Sequence, residues 1–390
     1  MKPSRPILPG SQIGLLGGGQ LARMTALAGR RLGYRFRVFD PAGSAAPAAP
    51  VCERCVAAPF DDADALADFA SGLDVIGFEF ENIPAAALQT LERFCPVRPS
   101  WTALEICQHR EREKQFLERH GFPHAAFRSA SNPGELGTAM QELGLPCVLK
   151  TAQSGYDGKG QLRIDPGMSA DEAWQRWGAG PAARGVVEAW VDFDAELSVI
   201  CARNPAGDLV AFPAIENIHT HHILDVSIAP ARFPEAILKE AAELAAAITE
   251  TLEIEGLLAV EMFLTKSGQL LVNELAPRPH NSGHLSFDAC VTSQFEQHTR
   301  AICGLPLGSA ELLSPAVMVN LLGHLWGPNF EPPDWLPLLE EPAAKLHLYG
   351  KQGAKPGRKM GHFCVLDPSR DAALEKALAL KARLQPRALR

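Results

Sequence analysis

The spacing of apolar positions changes several times along the chain, and each change marks an element. Residues 12–40 read QIGLLGGGQLARMTALAGRRLGYRFRVFD. An apolar run at 13–16 gives way to a triple glycine, then to helical spacing over 21–32, then to a second apolar run over 35–40. This predicts a strand, a tight glycine turn, a helix and a second strand, with backbone N–H groups open to an anion at the helix N-terminus. A helix over 61–70 and a buried strand over 74–80 (DVIGFEF) follow, and the strand ends beside Glu79, Glu81 and Asn82. Alternation of this kind through about residue 105 predicts an open parallel α/β sheet.

Residues 110–120 (REREKQFLERH) pattern as a charged amphipathic helix, stopped by Gly121 and Pro123. A helix around 133–143 leads to a strand over 146–150 that ends on Lys150 and enters the glycine loop TAQSGYDGKGQ. Strands are expected at 186–191 and 196–202, and a long amphipathic helix over 233–252. Two more strands, 257–264 and 270–275, meet at Lys266-Ser267-Gly268-Gln269. With Ser267-Gly268 as a two-residue hairpin loop, Glu261 faces Glu274, and directly opposed side chains share a face roughly 5 Å apart. Two carboxylates so placed repel unless a cation lies between them, and hard oxygen ligands suit Mg²⁺. Asn273 falls on the other face of an ideal strand, although a twist at the strand end can bring it in. The strand then breaks into APRPHNSGH, whose Arg278, His280, Asn281 and His284 are poor core material, because burying them unpaired costs several kcal/mol each.

Composition narrows the field. The chain has 390 residues, 46% hydrophobic and 21% charged, as in an ordinary soluble protein of two or three domains. A net charge of -8 argues against nucleic-acid binding, which needs a basic face. No stretch approaches the roughly 18 apolar residues of a membrane span, and the N-terminus does not read as a signal peptide. Nine cysteines without regular spacing suit a reduced, cytoplasmic setting, and the lone C-x-x-C at Cys52 and Cys55 has no second pair to complete a zinc site.

Four further stretches carry chemistry. Lys150 with Ser154-Gly155-Tyr156-Asp157-Gly158-Lys159-Gly160 offers a cation and a nest of loop N–H groups to phosphate, although the loop is not the G-x-x-x-x-G-K-[ST] form. Glu188-Ala189-Trp190-Val191 followed by Glu196 suits an adenosine, with backbone groups on the base edge and a carboxylate on the ribose. Gly17-Gly18-Gly19-Gln20-Leu21-Ala22, with Asp40 some distance on, fits the dinucleotide fingerprint G-x-G-x-x-A and supports a rival reading as a nicotinamide-dependent dehydrogenase. Lys351, Lys355, Arg358 and Lys359 crowd a glycine-rich tail loop that is either a solvated face or a phosphate site. The dehydrogenase reading leaves both later glycine loops and the carboxylate pair without a role. A silent nucleotide-binding regulator would be expected to lack that pair.

Taken together, GLLGGGQLARM, FEFENIP, VLKTAQSGYDGKGQ, LLVNELAPRPHNSGH and PGRKMGH resemble, in that order, the ATP-grasp ligases, and within them the N5-carboxyaminoimidazole ribonucleotide synthases. The resemblance implies an ATP-grasp fold with an N-terminal Rossmann-like parallel α/β domain (1–105). A central ATP-grasp domain (106–310) with a mobile lid at about 124–187 and a small C-terminal domain (311–390) would follow. It implies ATP contacts at Arg110, Lys150, Tyr156, Asp157, Gly158, Lys159, Gly160, Gln161, Glu188, Ala189, Trp190, Val191, Glu196, His219, Asn273 and Glu274, and Mg²⁺ at Glu261 and Glu274. Aminoimidazole ribonucleotide and bicarbonate would meet Gly19, Gln20, Glu79, Glu81, Tyr156, Arg278, His280, Asn281, Lys351, Arg358 and Lys359. Of these, Arg278, His280, Asn281, Tyr156 and Lys351 would serve catalysis. It also implies a cytoplasmic homodimer. Formate-dependent glycinamide ribonucleotide transformylase and biotin carboxylase share the ATP machinery and differ in the acceptor. One departure stands out: the family usually places Gly just before Ile-Leu in the stretch after His219, where this chain has His222, preceded by His221. A paired-histidine metal site there would lack a third ligand.

Overall fold

The computed structural model describes residues 5–153, 159–178, 180 and 183–384. Three sheets organise them. Strands β1 (Gln12–Leu16), β2 (Arg35–Phe39), β3 (Arg54–Val56) and β4 (Val75–Phe78) form a parallel sheet in the order β3-β2-β1-β4, as the alternating pattern predicts. Helix α1 (Gln20–Arg31) follows β1 directly. Gly17 takes φ +85°, a left-handed turn that β-carbon-bearing residues resist.

A second sheet, all antiparallel, has four strands: β5 (Phe127–Ala130), β6 (Cys147–Thr151), β7 (Gln161–Ile164) and β8 (Gly185–Ala189), ordered β5-β8-β6-β7. The third is nine-stranded and antiparallel: β9 (Phe193–Arg203), β10 (Leu209–Ala211), β11 (Ile215–Thr220), β12 (Ile223–Ala229), β13 (Gly256–Thr265), β14 (Leu270–Ala276), β15 (Ala316–Leu322), β16 (Ala344–Leu348) and β17 (Lys359–Leu366). Its order is β14-β13-β9-β11-β12-β15-β17-β16, with β10 paired to β9. One sheet therefore runs unbroken from β14 to the strands after residue 311.

Helix Arg110–Arg119 and the long helix Glu235–Thr251 cover one face of the β9–β13–β14 region. Leu117, Ala241, Ala245 and Ile248 pack there with Val260, Met262, Leu270, Val272 and Leu275.

The β13–β14 hairpin departs from the expected turn. Thr265 N–H donates to the Gln269 carbonyl, so three residues, Lys266 to Gly268, form the loop rather than two. Gly268 takes φ +82° at its left-handed position. Pairing then runs Leu264 with Leu270, Phe263 with Leu271 and Met262 with Val272. Between Val272 and Glu274 a β-bulge leaves Asn273 without an opposite residue and restores the pairing of Glu261 with Glu274. The longer loop and the bulge shift the register in opposite senses. The expected carboxylate pair survives, but the geometry that produces it differs.

Candidate active site

The second and third sheets face each other across a cleft of about 960 Å³. Its walls include Lys150, Gln161, Glu188, Ala189, Trp190 and Val191 on one side, and Glu196, His219, Glu261, Phe263, Asn273 and Glu274 on the other. Gln20, Glu79, Glu81 and Asn82 from the parallel sheet, with Arg278, His280, Asn281 and Lys359, close the far end.

The bulge decides what this floor presents. On β14 the side chains of Leu270 and Val272 are buried in the core, so Glu274, an even number of residues on, would follow them in a regular strand. The extra residue inverts the alternation beyond it. Leu275 joins Leu270 and Val272 in the core, while Asn273 and Glu274 both line the cleft. An ideal strand would put Asn273 on the opposite face; a bulge, rather than a twist of the strand end, brings it into the cleft.

One guanidinium and one histidine hold these carboxylates. Arg110 Nη1 lies 3.3 Å from Glu274 Oε2, and His280 Nε2 lies 2.9 Å from Glu261 Oε1. Burial would raise the Glu261 carboxyl, but the hydrogen bond from His280, with the charges of His219 and Arg278, brings it down to about 2. Arg278 Nη2 pairs with Glu81 Oε1 at 2.7 Å, and His219 pairs with Glu196.

His280 is fixed by a chain of buried hydroxyls. Ser227 Oγ donates to Asn217 Oδ1 (3.0 Å), Asn217 Nδ2 donates to Ser198 Oγ (2.8 Å), and Ser198 Oγ donates to Ser282 Oγ (2.8 Å). The Ser282 hydroxyl is left to donate to His280 Nδ1, 2.9 Å away. Nδ1 is thus an acceptor, and the ring proton sits on Nε2, toward Glu261. Gln294 locks the His280 backbone from both sides, accepting its N–H at 2.9 Å and donating to its carbonyl at 2.7 Å.

Lys150 Nζ donates to Glu188 Oε2 at 3.0 Å, and Lys114 Nζ lies 3.7 Å from the same oxygen. Burial would raise Glu188, yet the two ammonium groups bring its carboxyl down to about 2. One carboxylate shared by two ammoniums leaves surplus positive charge, and burial lowers the pKa of Lys150. The Glu188 side chain is therefore committed to these lysines. Phe193 and Phe263 stack 4.6 Å apart at one end of the cleft, and the Arg163 guanidinium lies 4.2 Å above the Trp190 ring.

The glycine turn after β1 is already filled by carboxylates. Gly18 N–H donates to Asp40 Oδ2 at 2.6 Å; Gly19 N–H donates to Glu79 Oε1, and Ala22 N–H to Glu79 Oε2 at 2.9 Å. A β-carbon on Gly19 would come within 2.4 Å of that carboxylate. Glu79 thus occupies the helix N-terminus where a dinucleotide pyrophosphate would bind, which weighs against the dehydrogenase reading.

The other expected residues are placed as follows. Gly19, Lys159, Gly160, Lys351 and Arg358 are not among the cleft walls. The Gly160 carbonyl accepts from Trp177 Nε1 at 2.9 Å, Lys351 Nζ donates to the Lys359 carbonyl at 2.8 Å, and Arg358 donates to the Gly353 carbonyl at 2.8 Å. Tyr156, Asp157 and Gly158 lie outside the described residues. His221 and His222 line the cleft with φ +51° and +63°, so both adopt the left-handed geometry in which glycine is favoured. Among the described residues no three His, Cys, Asp or Glu side chains converge as a metal cluster.

Sequence reasoning missed Glu113 and Lys114, each only 1% exposed despite the charged look of their helix. It also missed Phe263, which strict alternation from Glu261 places on the cleft face.

Comparison with known proteins agrees with this geometry. Residues 115–295 match the ATP-grasp domain, 11–108 the ribonucleotide synthetase preATP-grasp domain, and 316–376 the phosphoribosylaminoimidazole carboxylase C-terminal domain. N5-carboxyaminoimidazole ribonucleotide synthase of Bacillus subtilis is 45% identical over 370 residues, covering 95% of each chain. The Brucella melitensis enzyme of that name is 42% identical, covering 92% of this chain and 97% of its own. A crystal structure of an N5-carboxyaminoimidazole ribonucleotide synthetase in complex with ADP superposes with a TM-score of 0.90 at 44% identity, over 97% of this chain and 98% of the other. The Aspergillus clavatus enzyme with ADP and 5-aminoimidazole ribonucleotide gives 0.87 at 31% identity, over 96% and 98%. The chain belongs to the N5-carboxyaminoimidazole ribonucleotide synthases, ATP-grasp ligases that use ATP to convert 5-aminoimidazole ribonucleotide into its N5-carboxy derivative in purine biosynthesis.

Proposed function

We propose that this cleft carboxylates 5-aminoimidazole ribonucleotide with bicarbonate by way of carboxyphosphate, and that its two ends divide the work. One observation carries the reading: the 2.9 Å contact between His280 and Glu261 joins the carboxylate pair to the Arg278–His280–Asn281 loop. Groups suited to a phosphoryl donor and groups suited to its acceptor therefore share a wall.

ATP would lie against Lys150, Gln161, residues 188–191, Glu196, His219 and Phe263. Glu261 and Glu274 fit Mg²⁺: they are directly paired, Asn273 adds an oxygen beside them, and a magnesium site takes one or two carboxylates with the rest from phosphate and water. Glu261 and Glu274 would hold the ion, which would supply positive charge against the charge that builds up on the phosphoryl group during transfer. Lys150 and Arg278 hold fixed positive charge where the transferring phosphoryl group would pass.

A bicarbonate oxygen attacks the γ-phosphorus as the bond to the bridging oxygen breaks, giving carboxyphosphate and ADP. The exocyclic amine then bonds to the carboxyl carbon, directly or as released CO₂, phosphate departs, and the nitrogen loses a proton. Both His280 ring nitrogens are engaged, whereas a carboxylate oxygen that accepts one hydrogen bond keeps a second lone pair, which favours Glu79 or Glu81 as the acceptor of that proton. Burial raises the Glu79 carboxyl and so strengthens it as a base. Gln20, Lys351, Arg358 and Lys359 would receive the ribonucleotide and its phosphate.

ADP release, measured with and without bicarbonate and aminoimidazole ribonucleotide, tests the assignment: both should be required for full turnover. Equal stimulation by formate with glycinamide ribonucleotide would refute it. No helix among the described residues is long and apolar enough to cross a membrane, and all nine cysteines are free thiols, which suits a cytoplasmic enzyme. Sedimentation at micromolar concentration tests the homodimer.

A further inference from the structure

The bulge at Asn273 poses a problem that the sequence of β14 does not solve. β14 is the outer strand of its sheet, and a bulge leaves further backbone groups without a ladder partner. Buried peptide groups of this kind must find partners elsewhere. The helix Arg110–Arg119 supplies them from two adjacent side chains. Lys114 Nζ donates to the carbonyls of Val272 (3.3 Å) and Asn273 (3.0 Å), the two residues at the bulge. Glu113 Oε2 accepts the N–H of Leu275 at 2.9 Å, the first residue whose side chain has returned to the core.

Charged side chains this deeply buried are unusual unless paired, so their presence needs a reason. Solvation and helix propensity do not explain them, because their helix offers exposed positions to both residue types. The backbone of the bulge does. It presents two carbonyls and one N–H, and the helix presents a donor with several protons next to an acceptor.

We infer that Glu113 and Lys114 are positioning residues that clamp the β14 bulge, so that Asn273 and Glu274 both face the cleft and the carboxylate pair forms. The inference rests on the reading of Glu261 and Glu274 as the magnesium site. Without the clamp, a regular strand would turn Glu274 toward the core and Leu275 toward the nucleotide. Lys114 also lies 3.7 Å from Glu188, the partner of Lys150, so the same ammonium ties the bulge to the opposite wall of the cleft. Burial pushes the Glu113 carboxyl up to about 8, and its Oε2 accepts the Leu275 N–H in either protonation state. A glutamine can make the same bond.

The test uses the full-length chain and two readouts. Calorimetry gives the affinity for ADP with and without Mg²⁺, and hydrogen exchange followed by mass spectrometry reports on peptides spanning 270–276. Lys114→Met and Glu113→Ala should speed exchange in those peptides. They should also cut the magnesium enhancement of ADP binding at least fivefold, while Glu113→Gln keeps both close to wild type. If Lys114→Met lowers the unfolding midpoint yet leaves enhancement and local exchange unchanged, the residue is merely structural and the inference fails. A wild-type chain that shows no magnesium enhancement would overturn the metal reading instead. The clamp would then be judged on exchange alone, with unchanged exchange in Lys114→Met and Glu113→Ala refuting it.

Discussion

Replacing Glu188 with glutamine tests the electrostatic frame of the cleft at its most loaded point. The residue is 3% exposed and its carboxylate faces Lys150 at 3.0 Å and Lys114 at 3.7 Å. Two ammonium groups, Lys114 and Lys150, share this one carboxylate, and in the variant neither has it. At an effective dielectric constant near 20, attraction at these distances is about 5 kcal/mol per pair before desolvation is set against it. A carboxyl brought down to about 2 from its ordinary value corresponds to about 3 kcal/mol of net stabilisation. That agrees with the roughly 3–5 kcal/mol typical of breaking a buried ion pair by removing one partner. The folded-state pKa is depressed, so the contribution is fully present above the ordinary carboxylate range and is lost as pH falls toward 2. Urea unfolding at several pH values should therefore show Glu188→Gln about 3 kcal/mol less stable from pH 8 to 5, with the gap closing below pH 4. A variant within about 0.5 kcal/mol of wild type at pH 7 would refute the reasoning, because changes away from such features stay within that range.

Glu274→Gln should abolish ADP release while circular dichroism and the unfolding midpoint stay near wild type, since the side chain faces the cleft rather than the core. Ser198→Ala breaks the hydroxyl chain behind His280; kcat should fall about tenfold, in the range typical of losing one oriented catalytic group, with KM for ATP little changed. Gly19→Ala should raise KM for the ribonucleotide severalfold, because the new methyl would press on Glu79 from 2.4 Å; steady-state kinetics checks this. His222→Gly should stabilise the chain by up to about 1 kcal/mol in urea unfolding, since the left-handed position strains a β-carbon.

Much of the fold was legible because each domain obeys a simple period. The parallel order β3-β2-β1-β4 follows from alternating strands and helices, and the Glu261–Glu274 pairing follows from counting across a hairpin. That count reached the right pair through the wrong loop, because a third loop residue and a bulge shift the register in opposite senses. Neither leaves a mark in a hydrophobic pattern. Glu113 and Lys114 were invisible for a related reason: a charged pair on an amphipathic helix looks solvated until the unpaired backbone opposite it is known. The filling of the α1 N-terminus by Glu79 depends on β4 ending beside β1, a tertiary fact that the glycine motif alone cannot report.

The central claim is that a bicarbonate oxygen takes the γ-phosphoryl group before the amine is carboxylated. Turnover with ¹⁸O-labelled bicarbonate, followed by mass spectrometry of the phosphate released, tests it directly. One labelled oxygen should appear in each phosphate, carried over when carboxyphosphate breaks down. Phosphate free of label, under conditions where the N5-carboxy product forms, would contradict the account.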